Sequence, residues 1–223
     1  MTADRRPAPR WPAGPARLAL AGALLAFLGL LAVGCAAGPA ARVSAPANHG
    51  YRGTWLAEPF AKPTGAWVDS QGAPFDFTRD TTTAVTVVFF GYTHCPDECP
   101  TTMADLTAAL RGVDPATRAK IAVVFVTTDP ERDTPEVLRR WLAGFDPGFR
   151  GVTAPRPTLE RAAAGLGIAL GGRTDTPGGG YQVSHGTPLI GFGPDGGGRL
   201  VWSYGTSVAD LRHDLRRLAA GGS

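Results

Sequence analysis

Two apolar runs constrain this chain more than any other feature: Ala84–Phe90 (AVTVVFF) and Ile121–Thr127 (IAVVFVT). Each is continuous rather than alternating, and rich in β-branched and aromatic residues, the pattern of a strand buried on both faces. Between them, Thr101–Arg111 places Met103, Leu106 and Leu110 at helical spacing. A strand, a helix and a second strand in that order close a parallel pair, because a parallel crossover needs about a dozen residues or more. Further on, Asp133-Thr134-Pro135-Glu136 reads as a helix start, with a capping side chain followed by Pro in the first turn. That helix runs to about Ala143, and another spans Thr158–Leu166. Pro188–Phe192 and Leu200–Tyr204 flank a turn as a hairpin, and Ser207–Ala219 forms a last helix burying Val208, Leu211, Leu215 and Leu218. Residues 51–80, with a turn at Ser70-Gln71-Gly72, read as an N-terminal hairpin, and Gly165–Gly180 as a mobile glycine-rich loop. The expected fold is α/β: a thioredoxin-like, mostly parallel sheet flanked by helices. It carries an N-terminal β-hairpin extension and a C-terminal β-hairpin inserted before the last helix.

The segment ahead of this body reads as an export signal. Arg5, Arg6, Arg10 and Arg17 precede an unbroken apolar run, Leu18–Val33, shorter than the roughly 20 residues of a bilayer span. The run ends at Ala32-Val33-Gly34-Cys35, which resembles a bacterial lipobox, where cleavage precedes a cysteine that becomes lipidated. The expected organisation is therefore a lipoprotein-type signal peptide over 1–34, a lipidated flexible tether over 35–50, and one domain over 51–223. Such a chain is held on the extracytoplasmic face of the bacterial cell membrane by its lipid. The formal charge of +3 lies wholly in the leader, and residues 35–223 carry equal numbers of basic and acidic side chains. A nucleic-acid partner is not expected from that balance.

With Cys35 assigned to lipid, Cys95 and Cys99 are the thiols left to do chemistry. They lie in Gly91-Tyr92-Thr93-His94-Cys95-Pro96-Asp97-Glu98-Cys99-Pro100, which joins a buried strand to a helix N-terminus. In open α/β folds the loops at the strand C-termini build the site. The helix dipole there favours thiolate, which serves metal binding and nucleophilic attack alike. Once the loop has begun to coil, positions i and i+4 face one way and the sulfurs can converge. An inert disulfide across the pair is the structural alternative. Two soft thiolates favour Cu(I), and imidazole is the natural third donor. Of four histidines, His49 falls in the tether and His213 off the apolar stripe of the last helix. His94 adjoins Cys95 and suits a supporting contact better than a ligand. His185 is the remaining candidate, against a plain surface or core histidine.

GYTHCPDECP resembles the signature of the Sco/SenC family of copper chaperones for cytochrome c oxidase assembly. Asp129-Pro130-Glu131-Arg132-Asp133-Thr134-Pro135-Glu136 resembles a second hallmark of that family, and the resemblance covers about residues 51–220. It implies a thioredoxin-like domain holding one copper through Cys95, Cys99 and His185, with copper as Cu(I), Cu(II) or both. The function implied is delivery to the dinuclear copper site of cytochrome c oxidase subunit II, or to other copper and thiol proteins outside the cytoplasm. A thiol–disulfide oxidoreductase that reduces the cysteines of that site is the alternative, with Cys95 and Cys99 as the redox pair. The three residues between the cysteines suit chelation better than the Cys-x-x-Cys of reductases, and exchange has no need of His185. Zinc would lack a fourth protein ligand. Asp129 is expected to support a ligand or contact a partner, while Asp133-Thr134 is expected to serve as a turn and helix cap. The family usually has Val-Asp-His-Ser where this chain has Val183-Ser184-His185-Gly186, so the histidine lacks an acidic neighbour to orient it.

Overall fold

The continuous apolar runs become neighbouring central strands in the computed structural model, which describes residues 48–222. The expectations for the signal segment, for Cys35 and for the tether up to residue 47 lie outside those residues. Strands β1 (Thr54–Phe60), β2 (Trp67–Asp69) and β3 (Pro74–Phe75) come first, followed by a short helix α1 (Phe77–Asp80). Then β4 (Val85–Gly91), α2 (Glu98–Arg111), α3 (Pro115–Arg118), β5 (Ile121–Thr127), α4 (Pro135–Ala143), β6 (Arg150–Thr153) and α5 (Arg156–Gly165) build the α/β core. The chain ends in β7 (Leu170–Asp175), β8 (Tyr181–His185), β9 (Leu189–Phe192), β10 (Gly198–Trp202) and α6 (Val208–Ala219). All seven residues of β4 are buried, and it pairs in parallel with β5 from Val85↔Ile121 to Gly91↔Thr127. Alternate residues serve two cores. Val85, Val87, Phe89, Val123 and Phe125 meet side chains of α2, α4 and α6, whereas Val88, Phe90, Val124 and Val126 meet those of α1 and α5.

The α/β class holds, but the sheet is mixed rather than mostly parallel. Its order is β1-β10-β9-β4-β5-β6-β2-β3, and only β4–β5 and β5–β6 are parallel. The antiparallel pairs join strands from the two ends of the chain, β1, β9 and β10 on one side and β2 and β3 on the other, so no local pattern shows their direction. The N-terminal hairpin is confined to β2–β3, turning at Gly72. β1 crosses to the opposite edge and pairs with β10, so residues 51–80 brace both ends of the sheet. The C-terminal hairpin β9–β10 lies where expected and joins β4 through β9.

The glycine-rich segment is not a loop. β7 and β8 form a separate two-stranded antiparallel sheet, from Leu170↔His185 to Asp175↔Tyr181. Gly179 and Gly180 adopt φ of +86° and +83° in its turn, a backbone region that L side chains rarely enter. The glycines therefore mark a hairpin turn rather than mobility. His185 is the last residue of β8, separated by three residues from the start of β9 at Leu189.

Candidate metal centre

The chain leaves β4 at Gly91 with no room for a side chain. A Cβ there would sit 3.0 Å from each of Cys99 Sγ, Phe89 and Phe125. The backbone then turns, Cys95 N–H donating to Tyr92 O at 3.2 Å, and enters α2 at Glu98. Cys99 lies in the first turn of α2 and is fully buried; Cys95 precedes the helix and is partly exposed. Both thiols are free, so the inert-disulfide alternative is not what this structure holds. The Cys99 N–H donates to Cys95 Sγ at 3.4 Å, bringing positions i and i+4 together as the coiling loop predicts.

From the separate hairpin, His185 brings Nε2 to 3.6 Å from Cys99 Sγ. Its Nδ1 stands 2.9 Å from Gly186 O, a carbonyl that can only accept, so Nδ1 carries a proton and Nε2 is the ring nitrogen that faces the sulfurs. Tyr92 packs edge-on to the imidazole, ring centroids 5.7 Å apart. The two thiols are electrostatically unequal. Cys95 is held down to about 3, chiefly by the thiol of Cys99, opposed by burial and helped by His185 and the backbone N–H groups of Asp97 and Cys99. Cys99 is pushed up, chiefly because its S–H donates a hydrogen bond to the Cys95 thiolate, and by burial. The imidazole stands beside Cys99 and also favours the thiolate of Cys95, so His185 bears on both sulfurs.

The remaining sequence candidates divide. Asp133 is no helix cap: Thr134 caps α4 through Val137 N–H, and Asp133 is wholly buried. Its carboxylate accepts from Thr93 N–H at 2.9 Å, Thr93 Oγ1 at 2.6 Å and Thr127 Oγ1 at 2.7 Å, tying the thiol loop to the end of β5. Sequence reasoning missed this role, since no local pattern links Asp133 to Thr93. His94 is half exposed and faces Thr93 Oγ1 at 3.1 Å and Asp133 Oδ1 at 3.7 Å, so it touches the carboxylate that braces the loop. Asp129 is buried and accepts from Tyr181 OH at 2.9 Å, which links it to the hairpin that carries His185. His49 packs on Trp55, and His213 pairs with Asp214 at 2.8 Å. Ser184 is exposed, on the strand face opposite Val183 and His185.

A soft metal ion fits the donor set. With zinc-like bonds of about 2.3 Å to sulfur and about 2.0 Å to nitrogen, a shared tetrahedral ion separates the two by about 3.5 Å. The observed 3.6 Å matches that separation. Among the described residues no group of three or more His, Cys, Asp or Glu side chains is placed to hold a metal ion as it stands, so Cys95, Cys99 and His185 must shift to do so together. The trio is a hydrogen-bonded set that must give up the Cys99 proton to become a ligand set.

The SCO1/SenC family model matches residues 64–220. The chain belongs to the SCO1/SenC family. The mitochondrial SCO2 protein of Saccharomyces cerevisiae is 33% identical over 148 residues, which cover 65% of this chain and 44% of that protein. The chain spans about half the length of the curated relatives it matches. Bradyrhizobium japonicum ScoI, solved with copper bound, is 26% identical with a TM-score of 0.60, over 73% of this chain and 99% of that one. The apo Sco1 protein of Thermus thermophilus is 31% identical with a TM-score of 0.59, over 78% of this chain and 96% of that one.

Proposed function

We propose that this SCO1/SenC protein is a copper chaperone, tethered by lipid on Cys35 to the extracytoplasmic face of the membrane. It carries one copper on Cys95, Cys99 and His185 to the dinuclear copper site of cytochrome c oxidase subunit II. The observation that carries the reading is the 3.6 Å approach of His185 Nε2 to Cys99 Sγ across 86 residues of sequence. Disulfide exchange between two cysteines gives no reason for an imidazole to be brought there. Copper in the Bradyrhizobium japonicum relative supports the choice of ion, as does the softness of the donors.

The unequal thiols favour a second reading, in which Cys95 attacks and buried Cys99 resolves, keeping the acceptor's cysteines reduced. Copper titration of the reduced full-length chain in detergent separates the two. The chaperone reading expects one copper per chain, protection of both thiols from alkylation, and an affinity at least about tenfold lower in His185→Ala. Equal affinity in wild type and His185→Ala transfers the assignment to the oxidoreductase.

A further inference from the structure

The hairpin that carries His185 has little to hold it. It shares no ladder with the eight-stranded sheet, every residue of β7 after Leu170 is exposed, and Val183 is the one buried side chain of β8. An isolated two-stranded ribbon is marginal in water, so its position must come from side chains. At the end remote from His185, those side chains form a cluster that the metal reading leaves unused. Tyr181 OH donates to the buried Asp129 at 2.9 Å, and Asp129 also pairs with Arg132. The Arg132 guanidinium lies 3.6 Å from the centroid of the Tyr181 ring, and that of Arg173 lies 4.5 Å from it. Arg173 in turn pairs with Glu131 at 2.5 Å and approaches Asp129 at 3.9 Å. Arg132 Nη2 is buried without a hydrogen-bond partner. The Asp129 carboxylate and the Tyr181 ring, rather than a full set of acceptors, fix that guanidinium.

We propose that Asp129, Arg132, Arg173 and Tyr181 form a latch that holds the β7–β8 hairpin against the end of β5 and so positions His185 over the thiols. The latch rests on the metal reading for its purpose but not for its existence. Tyr181 and Arg173 come from the two strands of the hairpin, whereas Asp129, Glu131 and Arg132 come from the segment just after β5. Tyr181 lies about 13 Å along β8 from His185, at about 3.3 Å per residue. Releasing that end leaves the histidine on a ribbon held by Val183 and Leu170 in the two cores, by the edge-on ring of Tyr92, and by Gly186 N–H donating to Ala169 O at 2.8 Å.

The test uses the full chain in detergent, with two readouts on the same variants: amide hydrogen exchange of residues 170–185 without metal, and Cu(II) affinity with its thiolate-to-copper absorption. Tyr181→Leu removes the hydrogen bond and the stacked ring, whereas Tyr181→Phe keeps the ring and loses only the hydroxyl. Arg173→Gln disturbs the exposed side of the cluster and leaves the buried Asp129 and the Tyr181 ring in place, so it reads the latch even where Tyr181→Leu fails to fold. The expected result is exchange at least about tenfold faster across 170–185 in Tyr181→Leu, a smaller rise in Tyr181→Phe and Arg173→Gln, and β4 unchanged. Copper affinity falls about tenfold in Tyr181→Leu, with a shifted absorption band, and is partly restored in Tyr181→Phe. Unchanged hairpin exchange in Tyr181→Leu overturns the latch. A loosened hairpin with copper affinity and absorption equal to wild type overturns its role in positioning His185. Wild type that takes up no copper overturns the metal reading, and the exchange data then uphold or overturn the latch alone.

Discussion

The thiol loop and the histidine hairpin meet at one site but are built in opposite ways. The loop leaves a strand buried over its whole length, passes over a glycine with no space above it, and is tied by Asp133 through three hydrogen bonds. The hairpin is exposed, paired only with itself, and latched through a cluster at its far end. Two sulfurs are thus placed in advance, while the imidazole arrives on an element that can open without disturbing the central sheet. Such a division suits a carrier, which must release its metal to an acceptor by exchanging ligands one at a time, better than a closed structural site.

The sharpest way to break the contrast is to remove a sulfur. If the rigid half supplies most of the binding, Cys99→Ser should lower copper affinity by about a hundredfold or more, since a structural zinc site of four ligands is worth about 10–16 kcal/mol and a thiolate is the softer donor here. Competition with a chelator of known affinity measures it; a loss no larger than that of His185→Ala would shift the weight to the hairpin. Removing the brace tests the rigidity itself. Asp133→Ala strands the Thr93 and Thr127 donors in a buried place and should cost about 3 kcal/mol. That corresponds to a Tm lower by about 6–12 °C in a domain of this size. Thermal unfolding of the metal-free chain checks it, and an unchanged Tm would mean that the loop does not depend on Asp133.

A smaller effect lies within the loop. Cys95 is held down to about 3, so it remains thiolate as the pH falls from 8 to 5, whereas an ordinary thiol loses reactivity about tenfold per unit over that range. Cys95 in the reduced, metal-free chain should therefore be alkylated by iodoacetamide at similar rates at pH 8 and pH 5, with Cys99 far slower at both. Peptide mass spectrometry reads the two sites separately. A Cys95 rate that drops steeply below pH 8 would remove the asymmetry between the sulfurs.

What was legible in the sequence follows the same divide. β4 and β5 are long, continuous and apolar, and Cys95 and Cys99 lie within one helical turn, so local pattern was enough to place them. Local pattern could not show that β1 crosses to the far edge of the sheet, because its residues alternate weakly and the partner is β10. Nor could it show that Asp133 braces Thr93, or that Asp129 reaches Tyr181, since each contact spans 40 residues or more. The glycines of residues 165–180 looked like a loop because hairpin turns and loops call for the same residue. His185 itself was legible by elimination and by resemblance, but the hairpin that delivers it was not.

The smallest expected effect concerns the departure at residue 184. By resemblance, an aspartate beside the ligand histidine would orient it, and Ser184 would leave His185 without that support. The geometry argues otherwise. Neighbouring residues on a strand face opposite ways, and Ser184 is exposed while Val183 is buried and His185 turns to the thiols. The orienting acceptor is already present, since Gly186 O takes the Nδ1 proton at 2.9 Å. A carboxylate at position 184 would therefore project to solvent and act only through screened, long-range charge. Ser184→Asp should change copper affinity by no more than about twofold, the scale of an exposed substitution. Competition titration against wild type measures it. A gain of tenfold would show that the side chain at 184 reaches the imidazole, and that the hairpin can turn its other face to the site.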